Sequence, residues 1–338
     1  MMPGMSTTAA PSLFPLRLLF LGAVVLLSLM AVFNQVKSLG LSWQEEHYTA
    51  RLEAVLAGTA GSPWQYRLLS DAATVGVYRT LETVGVPRPV GVAFVGIRVV
   101  QNVVLLLLAL RLYQLLGIGT YLGLLGLMAL AWAMTQTNYN SDLSINLYSE
   151  VIFYLAAAIA VLRGRLRWVP VLAAIAALNR ETSGLLPLLP LAALWPLPSG
   201  ARVSPATVLR CTAAGLAAYA LVFAGLRLWL GTRGWEVHPD GAVQGWPLFV
   251  YNVGFLRSWV HLAATFGIFP LLALAGWRDW PRALRTWCWV VVPVWFAVHF
   301  FFGAVAETRL FLVPFVLIFV PGALVAVQAS LPARERTA

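Results

Sequence analysis

Apolar residues run for a membrane's width, or nearly so, at 14–34, 91–115, 119–136, 144–162, 207–230, 258–276, 288–304 and 309–328, with most charges confined to the joins. A helix needs about 20 such residues to cross ~30 Å of hydrocarbon, so each stretch predicts a membrane helix. One more apolar stretch, 168–196, is long for a single ideal helix and carries Pro187 and Pro190, which remove backbone donors and interrupt a helix. Its middle reads Leu178-Asn179-Arg180-Glu181-Thr182-Ser183. An ionised side chain at a bilayer centre costs ~2.5–3.5 kcal/mol on insertion scales, and such residues face protein or a watery cavity and mark functional sites by default.

The basic residues decide how that stretch is counted. Arg163, Arg165 and Arg167 form one cluster, Arg278, Arg282 and Arg285 a second, and Arg334 and Arg336 a third. Positive charge collects in cytoplasmic connections. All three clusters share one side only if 168–196 is two short helices, about 168–179 and 183–196, around a polar turn. Each half would rise ~18–21 Å, too little to cross. The turn 179–182 would then floor an outward-open cavity, the setting in which non-helical backbone is tolerated at depth. The expectation is an all-α polytopic integral membrane protein, a single membrane domain over 1–338 with about ten hydrophobic helices and both termini cytoplasmic. Its longest outer segment is 34–89. Within that loop 66–84 reads as an amphipathic helix on the membrane surface, with Leu68, Leu69, Ala72, Val75 and Leu81 interrupted by Arg and Asp.

Composition agrees. Of 338 residues 60% are hydrophobic and only 11% charged, with a mean hydropathy of +0.80, against ~25% charged in soluble domains. No polar stretch is long enough for a soluble catalytic domain, so any chemistry lies in the membrane part and its loops. The net charge of +10 is accounted for by topology and does not point to nucleic acid. Cys211 and Cys288 lie at or in apolar segments and read as small hydrophobes. The first apolar run lacks a small-residue cleavage site before Asn34, which predicts a retained helix.

Polar residues outside the central turn add candidates. Glu45-Glu46-His47 follows the first helix; an acidic pair suits a general base, a divalent cation or a hydroxyl-rich substrate, and equally a solvated loop. In Ser62-Pro63-Trp64-Gln65-Tyr66-Arg67 the aromatics suit the interface, while Arg67 suits a phosphate or lipid headgroup, onto which guanidinium forks bidentately. Asp142 reads first as a helix cap. Glu150 lies deep enough to need a partner, with Arg98 and Arg180 both in view. Glu307-Thr308-Arg309 opens the last span at the outer surface. The four histidines show no metal-ligand spacing, and no hydrolase, P-loop or dinucleotide motif occurs.

Together these features resemble the C-type glycosyltransferase (GT-C) superfold, and within it the compact bacterial membrane proteins. There an acidic residue or pair stands in a long first outer loop, a Tyr-Arg segment follows, an Asn-Arg-Glu-Thr turn sits mid-chain and Glu-x-Arg precedes the final helix. Here those are Glu45-Glu46, Tyr66-Arg67, 179–182 and Glu307-Thr308-Arg309. The resemblance implies transfer of a sugar from a polyprenyl-phosphate lipid to an acceptor on the outer face of a bacterial inner (plasma) membrane. It implies Glu45 or Glu46 as base and Arg67, Arg180 and Arg309 as donor-phosphate ligands. His47, Tyr66, Asp142, Asn179, Glu181 and Glu307 would support them, and a divalent ion is left open. The competing reading is a transporter or flippase for a lipid-linked or anionic solute, which broken helices and buried Arg-Glu pairs serve equally well. A third is an assembly subunit whose charges act as braces.

Overall fold

The computed structural model describes residues 14–137, 145–198, 200–234 and 243–332. Among these residues the chain is helical, without strands. In order come α1 (Phe14–Leu39), α2 (Leu41–Leu56), α3 (Leu68–Thr83), α4 (Pro89–Leu115), α5 (Thr120–Gln136) and α6 (Ile145–Leu162). Then follow α7 (Trp168–Ala177), a 3-10 stretch (Glu181–Leu194), α8 (Pro205–Leu230), α9 (Trp246–Gly254), α10 (Leu256–Phe266), α11 (Phe269–Ala275) and α12 (Arg282–Phe302). A last span covers Thr308–Ser330. Among the described residues six helices are long and apolar enough to cross a membrane: most of α1, then α4, α6, α8, α12 and the last span. The chain is thus an all-α polytopic membrane protein. The last span is the most enclosed, 83% buried against 11% for α8, so it forms the core and α8 the rim. Its contact with Trp280 requires glycine, because a Cβ on Gly322 would stand 2.4 Å from the indole.

The segment 168–194 goes in and comes back. A Cβ on Gly164, before α7, would lie 3.5 Å from that of Ala201, beyond the 3-10 stretch. Its tip lies deep, because the Tyr219 hydroxyl of α8 donates to the Glu181 carbonyl, fourteen residues or ~21 Å of helix past Pro205. The second arm is 3-10 where a short α-helix was expected. Pro187 and Pro190 lie inside it, and each removes a donor and clashes with an α-helical carbonyl. At ~2.0 Å per residue its fourteen residues extend ~28 Å, against ~21 Å as α-helix, so the arm reaches further than the sequence pattern implied.

Two other segments differ from the hydropathy pattern. The stretch 258–276 reads as one span, but α10 and α11 meet at 74°, with Gly267 between them at φ +54, a conformation that glycine adopts freely. The 34–89 segment is not an open loop near its start. After Gly40 (φ +82) α2 begins directly and buries Gln44, Tyr48, Leu52 and Val55 as one stripe, so Glu45-Glu46-His47 lie on a helix. The helix read over 66–84 is α3, but it turns Ser70 and Thr74 inward and packs on α4 and α6.

Candidate functional site

The break after α7 is built from buried polar bonds. Asn179, fully buried, donates to the Asn146 carbonyl at 2.7 Å and accepts from the Ser70 hydroxyl at 2.7 Å. The Leu69 amide donates to the Leu178 carbonyl at 3.0 Å. One turn is thereby tied to α3 and α6, which leaves Arg180 in extended backbone (φ −155, ψ 150) with its side chain free to leave the helix line.

Arg180 Nε lies 3.2 Å from Glu150 Oε2, with both side chains almost fully enclosed. Arg180, not Arg98, is therefore the partner of Glu150; Arg98 lies over the Tyr148 ring. The Thr182 hydroxyl donates to the other Glu150 oxygen. The neighbouring Glu181 takes Arg67 at 3.1 Å and Arg227 at 3.9 Å. Arg309 pairs with Glu307 at 2.7 Å. The structure thus brings Arg67 and Arg180 together with Glu150 and Glu181, while Arg309 is held by its own neighbour Glu307.

Sequence reasoning missed Arg227. It occupies the last turn of α8, where an arginine reads as an interfacial anchor, and nothing in the spacing links it to position 181. Its guanidinium lies over the Phe223 ring at 3.5 Å and the Tyr66 ring at 4.4 Å. The Tyr66 hydroxyl donates to the Gly231 carbonyl at 2.8 Å and accepts from the Arg233 amide at 3.0 Å, so Tyr66 holds the C-terminal end of α8 against the Trp64–Arg67 segment. Two guanidiniums lie over the Trp64 ring, Arg51 at 4.5 Å and Arg67 at 4.8 Å. Among the described residues Arg67 and Arg227 thus meet Glu181, beside the Arg180–Glu150 pair.

The acidic pair lies elsewhere. Glu45 accepts the Gly91 amide at 2.6 Å, in the first turn of α4, where carboxylates are stabilised by unpaired amides. Gly91 precedes Gln101 by ten residues, ~15 Å of helix, and it is Gln101 that bonds Ser149 beside Glu150. Glu46 is exposed, and His47 stacks on Trp43 with ring centroids 4.6 Å apart. Asp142 falls outside the described residues. Among the described residues no three His, Cys, Asp or Glu side chains are grouped to hold a metal ion.

No family model, curated protein or solved structure matches this chain. The geometry of the site therefore carries the functional argument alone.

Proposed function

We propose that this protein is a membrane glycosyltransferase with a GT-C-like arrangement of about ten helices, which moves a sugar from a polyprenyl-phosphate donor to an acceptor on the outer face of a bacterial plasma membrane. The observation that carries the reading is the cluster of Arg67, Arg180 and Arg227 with Glu150 and Glu181 at the break after α7, inside an apolar stretch. Such a cluster is costly in lipid and is fitted to an anion at headgroup depth. Arg67, Arg180 and Arg309, with Arg227 beside them, would hold the donor phosphate and stabilise the charge that it gains on leaving. The acceptor hydroxyl gives its proton to a carboxylate as its oxygen bonds the sugar carbon. The bond from that carbon to the phosphate oxygen breaks, and polyprenyl phosphate departs with inversion. Glu46, exposed on α2, is preferred to Glu45, which is engaged by Gly91; because α2 stands apart from the arginines, the acceptor hydroxyl would have to lie between the two for Glu46 to reach it.

The reading is tested by incubating purified protein with labelled polyprenyl-phosphate sugars and a panel of acceptors, without ion gradients. Labelled product supports transfer. Movement of the lipid across proteoliposomes without product would instead establish the transporter reading, which the returning segment 168–194 also fits. Loss of turnover on chelation would assign a divalent cation to the reaction. Orientation has its own test: with both termini cytoplasmic, a cysteine at Gly164 resists an impermeant thiol reagent in intact cells while one at Ala242 reacts. Labelling of Gly164 would overturn that topology.

A further inference from the structure

Asn252, on the short helix α9, is fully buried in an otherwise apolar stretch, and its amide is spent on one object. Its Nδ2 donates to the carbonyls of Phe300 at 2.9 Å and Gly303 at 2.8 Å, and its Oδ1 accepts the Val305 amide at 2.9 Å. Those three backbone groups belong to the end of α12 and the turn after it. The last carbonyls of a helix have no partner within it, and in a membrane interior no water stands ready to supply one. The side chain of Asn252 is therefore the template on which the chain reverses.

Little slack separates that turn from the site. The Glu307 amide donates to Ala304 at 2.9 Å, and the Leu310 amide to Glu307 at 2.9 Å. On the far side the Trp295 indole donates to the Leu310 carbonyl at 2.8 Å, and the Thr265 hydroxyl to that of Thr308 at 2.9 Å. Glu307 and Arg309 are thus held between two anchors, of which Asn252 is the one preceding them in the chain. We propose that Asn252 is a positioning residue that fixes residues 303–307 so that the Glu307–Arg309 pair is held in place. This rests on the phosphate-binding reading of Arg309.

The test uses full-length protein in lipid nanodiscs, with Asn252→Ala and Asn252→Asp variants. The second keeps the shape and the acceptor for Val305 but removes both donors. Hydrogen exchange should accelerate in peptides covering 303–310 of the Ala variant and stay unchanged in α4 and α6. Affinity for undecaprenyl phosphate should fall about 10-fold in either variant, the scale of one hydrogen bond to a charged group. In an Arg309→Ala background the Asn252 substitutions should cost nothing more. Unchanged exchange at 303–310, exchange loss spread into α4 and α6, or factors that multiply in the double variant would each refute the proposal. If Asn252→Ala does not fold, the Asp variant carries both measurements. If wild-type protein retains no undecaprenyl phosphate, the phosphate reading fails, and the exchange pattern alone decides whether Asn252 holds the turn.

Discussion

Glu150→Gln isolates an almost fully enclosed charge pair. The substitution keeps the size of the side chain and an oxygen for the Thr182 hydroxyl, but leaves Arg180 charged against a neutral amide. The side chains of the pair are 7% and 0% exposed, so solvent screening gives little relief. Removing one partner of a buried pair costs ~3–5 kcal/mol; the retained Thr182 bond places this case near the lower end, ~3 kcal/mol. At ~2–4 °C per kcal/mol for a chain of this order, the midpoint of thermal unfolding should drop by roughly 6–12 °C. Tryptophan fluorescence on protein in detergent micelles reads it directly. A second substitution, Arg180→Gln, removes the stranded charge, so the double variant should regain most of the loss. A single variant that melts within ~2 °C of wild type, or a double variant in which the losses add, would refute the pairing argument.

Arg180→Lys retains charge but not the planar fork, so donor binding should weaken while the protein still folds; wild-type donor affinity in Arg180→Ala would make the residue a brace. Glu46→Gln should lower turnover ~10²–10⁴-fold with donor binding retained, and Glu45→Gln less, since its amide oxygen can still accept from Gly91. Full activity of the doubly substituted protein would remove α2 from the mechanism. Gly322→Ala drives a methyl into Trp280 and should cost ~1–3 kcal/mol, measured as a lower unfolding midpoint; an unchanged midpoint would mean that the last span shifts freely.

The membrane architecture is legible because bilayer thickness imposes a length on apolar runs, and the charges at 180 and 181 stand out against such a run. What escaped has physical causes. Arg227 reaches the site only through the packing of α8, and its position at a helix end already has an ordinary explanation. α3 turns Ser70 inward, where Asn179 offers a bond, alongside Val75, which packs on the apolar cluster of Tyr48 and Phe94; a polar residue on the inner face is not what hydrophobicity alone selects. α2 is rich in helix formers and buries one stripe against α4, but its charged residues read as a solvated loop. The form of the arm 181–194 depends on where two prolines deny α-helical bonding, a choice that composition does not show.

The returning segment has a consequence for how the chain is made. The partners of Asn179 and Arg180 come from α3 and α6, which are synthesised before it. Those of Glu181 are divided: Arg67 precedes it, but Tyr219 and Arg227 come from α8. A nascent chain halted before α8 would present this polar tip half satisfied, a state that a bilayer disfavours. Residues 168–194 therefore lack partners for their tip until α8 has followed them into the membrane, and the Leu189 carbonyl waits longer still, for the Trp287 indole of α12.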